Sequence, residues 1–217
     1  MFPRDLKRGP QFHGPNIRIV IKERMSRRFP PPLALAFLAA AALACSGCGN
    51  GTSTGSGGSH PDYARALAGA PPPLAALYRQ ANQLLPGGAA AYEKRIASLR
   101  GHPVVANAWA SWCGPCRFEF PTLQKLSARY GKRVAFLGIN SEDSNDAAET
   151  FLREEPVPYP SYTDPDKKLA ESLGVHVGFP DTAFYNGSGK LVYLKQGPYS
   201  NDSELEADVR RYALNGG

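Results

Sequence analysis

An α/β fold, with a mixed central sheet and helices on both faces, is predicted by three observations. From Pro103 onward, short apolar runs alternate with segments of helical periodicity. Asn186-Gly187-Ser188-Gly189 separates two strand-like runs, Thr182–Tyr185 and Lys190–Gln196, as a hairpin turn does. Trp112-Cys113-Gly114-Pro115-Cys116 directly follows the continuous apolar run Pro103–Ala110, which reads as a buried strand, a tight turn and a helix carrying two thiols in its first turn.

The elements follow in order. Leu74, Leu77, Tyr78, Ala81, Leu84 and Leu85 form one helical stripe, opened by Pro71–Pro73 and closed by Pro86-Gly87-Gly88. A second helix is expected from Ala89 to Leu99, ending at Gly101, so residues 61–100 read as helical throughout. Then come the strand Pro103–Ala110, a helix Cys113–Tyr130 and a strand Val134–Ser141. Ser144, as N-cap, opens a helix to Glu154, closed by Glu155-Pro156. Pro160–Thr163 is short and extended, and Asp166–Leu173 is a helix stopped by Gly174. The hairpin is followed by a last helix from Asn201 or Asp202 to Leu214. Strand–helix–strand, then a hairpin and a covering helix, is the pattern of a mixed sheet.

Charge is unevenly placed. The 217 residues carry a formal net charge of +6, but residues 1–32 hold eight Lys and Arg against Asp5 and Glu23, leaving the remainder balanced. The basic character belongs to the leader and implies no nucleic-acid surface. In that leader, Arg27 and Arg28 precede the apolar run Leu33–Ala44 and then Cys45, the anatomy of an export signal. As a helix the run rises only about 18 Å, against roughly 30 Å of membrane hydrocarbon, so it is not expected to span. Residues 1–45 are therefore read as an export signal. Met25 provides an alternative start to Met1, and Arg27-Arg28 alone is poor support for twin-arginine export. Residues 46–60, almost wholly Gly, Ser, Thr and Asn, form a flexible linker with a mean span of about 20 Å.

Cys45 and Cys48 fall in the leader region, leaving Cys113 and Cys116 as the pair in the folded part. The gap from Cys48 to Cys113 is far longer than the 15–20 residues of zinc ribbons, so zinc is not expected. His102 and His176 are isolated and read as ordinary surface or core residues. A helix N-terminus offers free N–H groups and a positive dipole end to a thiolate. With two residues between them, the second sulfur is placed to attack a mixed disulfide formed at the first. A merely structural bridge would close too short a loop to stabilise much.

Asn107-Ala108-Trp109-Ala110-Ser111-Trp112-Cys113-Gly114-Pro115-Cys116, Pro121 in the following helix, and Gly178-Phe179-Pro180 before the hairpin together resemble the thioredoxin superfamily. Within it they resemble the exported TlpA/ResA-type thiol-disulfide oxidoreductases, over Gly101–Leu214. The resemblance implies a thioredoxin-like domain at 101–217, with 61–100 as an N-terminal extension that does not match the usual lead-in strands. It implies Cys113 as the attacking and Cys116 as the resolving thiol, with Gly114-Pro115 keeping the turn open and no cofactor beyond the disulfide. The Gly-Pro pair matches thioredoxin, a reductant at about −270 mV. Pro180 resembles the cis-proline that faces the disulfide, holding the Phe179 backbone for an incoming peptide. Asp181 replaces the usual Thr and puts a charge near the substrate edge.

Trp109 is expected in the core and Trp112 at the rim, shielding the sulfur. Asn107 stands where thioredoxin keeps a buried Asp, and an amide cannot carry its proton. Glu119 is the replacement candidate, lying about 60° from Cys116 on the helix, towards the apolar side. Partial desolvation there would raise its pKa. The box Leu43-Ala44-Cys45 resembles a lipoprotein cleavage site with Cys45 lipidated and Cys48 a weaker candidate, a plain secretory signal being the alternative. The expected function is a membrane-tethered, extracytoplasmic reductant of disulfides in exported proteins. Apocytochrome c is one such substrate, and a membrane thiol-electron transporter the source of electrons. Oxidase or isomerase action, or a non-catalytic binding module, are the alternatives.

Overall fold

The computed structural model describes residues 60–215; the leader, most of the linker, Cys45 and Cys48 lie outside them. Six strands form one sheet in the order β1-β4-β3-β2-β5-β6. They are β1 (Leu84–Leu85), β2 (Val104–Trp109), β3 (Ala135–Ser141), β4 (Ser161–Asp164), β5 (Asp181–Tyr185) and β6 (Leu191–Gln196). β1 to β4 are mutually parallel, while β5 is antiparallel to both β2 and β6.

Alternation along the central strands sorts the core into two layers. Val104, Ala106 and Ala108 of β2, with Leu137 and Ile139 of β3, face α2 (Pro72–Tyr78), α3 (Gly88–Ser98) and α6 (Lys168–Ser172) through Leu77, Tyr92 and Leu169. Val105, Trp109 and Phe136 face α4 (Gly114–Tyr130), α5 (Asn145–Glu154) and α7 (Asp202–Asp208) through Phe120, Phe151 and Leu205. Both faces are covered, which is why every residue of β2 and β3 is buried and most are apolar. Asn107 shares the phase of Val105 and Trp109, so its amide is directed at α4.

The N-terminal segment differs from the expected helical stripe. After α1 (Tyr63–Ala66), α2 ends at Tyr78, and Leu84–Leu85 pairs in parallel with Ser161–Tyr162 as an edge strand. Asn82 ends the helical path by taking left-handed backbone, φ 62°. Its backbone N–H donates to Tyr159 O (3.1 Å) and its Nδ2 to Leu152 O (2.5 Å), while its Oδ1 accepts from Val157 N (2.9 Å). These bonds, made after α2 has ended, turn the chain off the helical path and into β1. Tyr78 Oη, donating to Gly131 O (2.8 Å) and to Val134 O (2.9 Å), ties the segment to the end of α4. The last helix also departs from expectation: α7 passes into a π-helical turn, Val209–Leu214.

Gly138 in β3 is required by a close approach. Trp109 Nε1 donates to Ser161 Oγ (3.1 Å) across β3, and a Cβ at position 138 would lie 2.0 Å from that hydroxyl. The parallel strands end, and β5 begins, at one edge of the sheet. The loops after β2, β3 and β4 and the loop before β5 therefore converge, the usual place for a site in such a sheet.

Candidate active site

Cys113 is the N-cap of α4, and its Sγ accepts a hydrogen bond from Cys116 N (3.1 Å). Pro115, in the first turn of the helix, has no N–H to leave unpaired there. The two cysteines form a disulfide with their Cα atoms 5.3 Å apart. Cys113 retains 4% exposure and Cys116 none, so the first sulfur is the reachable one. Gly114 has open space around its missing Cβ, leaving the approach to the turn unobstructed.

The Phe179–Pro180 bond is cis, and Phe179 O lies 3.5 Å from Cys113 Sγ. In the disulfide this is a contact; on reduction the Cys113 S–H can donate to that carbonyl. Trp112 is 61% exposed at the rim. Its Nε1 donates to Glu142 O (2.8 Å) and its ring meets Phe179 edge-on at 6.1 Å. Asp143 fixes the turn before Trp112, accepting from Ser111 N (2.6 Å), Ser111 Oγ (2.9 Å) and Asn140 Nδ2 (2.9 Å).

Glu119 follows Cys116 by one turn on the buried side of α4 and is buried outright, more so than its wheel position implied. Asn107 Nδ2 donates to its Oε1 (2.7 Å) and Tyr199 N to its Oε2 (2.9 Å). Burial pushes the carboxyl up to about 7, against the pull of these two hydrogen bonds and of Lys195. Asn107 also donates to Thr182 Oγ1 (3.1 Å). Among the described residues its Oδ1 has no hydrogen-bond partner.

Asp181 directly follows Pro180 as the first residue of β5. It is turned inward and buried, with Oδ1 accepting from Gly197 N (2.9 Å), and burial raises its pKa, opposed by that hydrogen bond, Lys195 and Lys167. It also lines a groove of about 240 Å³ together with Val177, Phe179, Pro180 and Gln196. His102 and His176 do not join the cysteines in any metal-holding group. Among the described residues no cluster of three or more His, Cys, Asp or Glu is arranged for a metal ion, and no helix is long and apolar enough to cross a membrane.

Such an arrangement can exchange disulfides: one reachable sulfur at a helix N-terminus, a second behind it, and a carboxyl titrating near neutrality one turn away. A family model described as Redoxin matches residues 88–209, more than half of the chain. The chain belongs to the Redoxin family. This Redoxin domain is 44% identical over 96 residues to the thiol:disulfide interchange protein DsbE of Pseudomonas fluorescens biotype C, covering 44% of this chain and 52% of that protein. It is 38% identical over 114 residues to the thiol:disulfide interchange protein CycY of Rhizobium leguminosarum bv. viciae, covering 52% of this chain and 60% of that one. The chain thus spans only about half the length of the curated relatives it matches. A crystal structure from Chlorobium tepidum, assigned as a thiol:disulfide interchange protein DsbE, superposes with a TM-score of 0.50 at 27% identity, over 54% of this chain and 83% of that one.

The residues that the sequence does not single out are Glu142, Asp143 and Lys167. Asp143 has a weak signal, an acidic residue in the short loop between a strand and the N-cap Ser144. Lys167 has a better one: Asp164-Pro165-Asp166 is a turn opening, after which a residue of positive φ is common. Helical periodicity places that residue inside a helix starting at Asp166, whereas α6 begins only at Lys168.

Proposed function

We propose that the protein is an extracytoplasmic thiol-disulfide oxidoreductase that reduces disulfides in exported proteins, with Cys113 attacking and Cys116 resolving. The observation that carries this is the Cys113–Cys116 disulfide at the N-terminus of α4, one sulfur reachable beside Phe179 O and the other enclosed. In the reduced protein the Cys113 thiolate attacks one sulfur of a partner disulfide. A bond forms between the two, the partner's S–S bond breaks, and its other sulfur leaves as a thiolate. Cys116, its proton passed to Glu119, then attacks Cys113 Sγ. The Cys113–Cys116 bond forms, the mixed disulfide breaks, and the partner's second sulfur departs, so that two electrons have moved to the partner. The departing thiolates take protons from Glu119 and solvent.

The leader supports placement outside the cytoplasm, with Cys45 as the lipid attachment point and the Gly/Ser linker as tether. The relatives' names support thiol–disulfide interchange, and the TlpA/ResA resemblance supports oxidised cysteines of exported proteins as the substrate class, those of apocytochrome c among them, with a membrane thiol-electron transporter as the electron source. The reduction potential of the Cys113–Cys116 couple tests the direction. A value well below about −200 mV supports a reductant, and one near about −120 mV would replace this reading with an oxidase. Loss of activity in the Cys113→Ser/Cys116→Ser double variant separates either from a binding module.

A further inference from the structure

Among the described residues, three that are not glycine take left-handed backbone: Asn82, Glu142 at φ 50° and Lys167 at φ 61°. Asn82 tolerates it as asparagine often does. Glu142 and Lys167 have no such excuse, and they lie in two different loops at the edge of the sheet that carries the disulfide. The two are joined. Both backbone N–H groups donate to Asp164 O, at 3.2 Å from Glu142 and 3.1 Å from Lys167, and Lys167 Nζ lies 3.5 Å from Glu142 Oε2. The Asp164 carboxylate anchors the same turn by accepting from Leu169 N and Ala170 N, each at 2.9 Å.

The lysine side chain is only 14% exposed, an uncommon place for an ammonium. It is directed at Phe179. Lys167 Nζ lies 5.2 Å from the centroid of that ring and donates to His176 O (3.5 Å), at the start of the loop that ends in Pro180. Glu142 supports the other side of the rim, its carbonyl accepting from Trp112 Nε1 (2.8 Å), and Trp112 meets Phe179 edge-on. The circuit closes at Cys113, which follows Trp112 in the chain and whose Sγ touches Phe179 O. A glycine at 167 would relieve the backbone and leave the Phe179 ring without its cation.

We propose that Lys167 is a positioning residue. Held by Glu142 against the Phe179 ring, it fixes the Trp112–Phe179 rim so that an extended peptide meets the Phe179 backbone and the Cys113 sulfur together. This rests on the function proposed above. It acts on docking of a peptide and leaves the intrinsic reactivity of the thiols alone.

The test compares the reduced full-length protein with Lys167→Gly and Lys167→Arg, using dithiobis(nitrobenzoate) as a small disulfide and an oxidised peptide with an internal Cys–Cys bridge. For Lys167→Gly the expected results are an unfolding midpoint no lower than that of the parent and an unchanged rate with the small disulfide. KM for the peptide should rise about tenfold with kcat within about twofold, the pattern of lost ground-state binding. Lys167→Arg, which keeps the charge and the ring contact, should restore KM to within about twofold of the parent. An unchanged peptide KM in Lys167→Gly, a parallel loss with both disulfides, or no rescue by arginine would each overturn the proposal. A parent protein that reacts with neither disulfide would instead refute the function itself, and this inference with it.

Discussion

Replacing Glu119 by Gln should make the oxidised protein more stable at alkaline pH, an unusual outcome for removing a buried, fully hydrogen-bonded carboxylate. The carboxyl is raised from 4.5 to about 7, first by burial, with Asp181 adding to the rise and Tyr199 N–H, Asn107 and Lys195 opposing it. Between those values the folded protein holds a proton that the unfolded chain has released. The stabilisation is therefore complete below pH 4.5, declines as pH rises, and is gone above about 7. At about 1.4 kcal/mol per pH unit, the loss amounts to about 3 kcal/mol. The side-chain amide of the Glu119→Gln variant cannot ionise and escapes this loss. Its oxygen still accepts from Tyr199 N–H, and a half-turn of the Asn107 amide offers Oδ1, otherwise without a partner, to the new NH2 group. Urea unfolding of both oxidised proteins from about pH 4 to about pH 8 measures the difference. The wild type should lose about 3 kcal/mol more than the variant over this range. Equal pH slopes would refute the argument, and with it the buried, proton-holding Glu119.

Three further outcomes are expected. Cys116→Ser should accumulate a mixed disulfide at Cys113 that Cys113→Ser does not form, detected as a mass shift removed by reductant. Gly138→Ala should cost about 3 kcal/mol, because the new methyl meets Ser161 Oγ and Trp109 Nε1 in the centre of the sheet; a change below about 0.5 kcal/mol in urea unfolding would contradict this. Asn82→Ala should cost about 2–3 kcal/mol and Asn82→Gly about 1 kcal/mol less, since glycine keeps the left-handed backbone while losing the same side-chain hydrogen bonds.

The Cys113–Cys116 disulfide and its setting are legible in the sequence because their parts are local: an apolar strand, Cys-Gly-Pro-Cys at the start of a helix, and a proline before the hairpin. Glu119 is half legible. Helical phase places it near the apolar side, but its depth depends on α7 and the loop at Tyr199, which phase alone does not report. Leu84 and Leu85 mislead because a two-residue strand has no period of its own, and both happen to fall in phase with the stripe that begins at Leu74. What carries the chain from the end of that helix into β1 is Asn82, held by partners about 70 residues or more distant in sequence. Lys167 and Glu142 stay hidden for a related reason: a lysine in a left-handed turn looks like any surface lysine until its aromatic partner arrives from another loop.

Cys116 is enclosed while Cys113 alone reaches the surface. Whatever delivers electrons to this pair and whatever withdraws them must therefore use one doorway, in turn. Under the proposed function the pair is a shuttle with a single berth: donor and acceptor exclude each other, and a surplus of either slows the traffic of the other. Steady-state kinetics should then show parallel lines in double-reciprocal plots, with each partner inhibiting at high concentration by occupying the form meant for its counterpart.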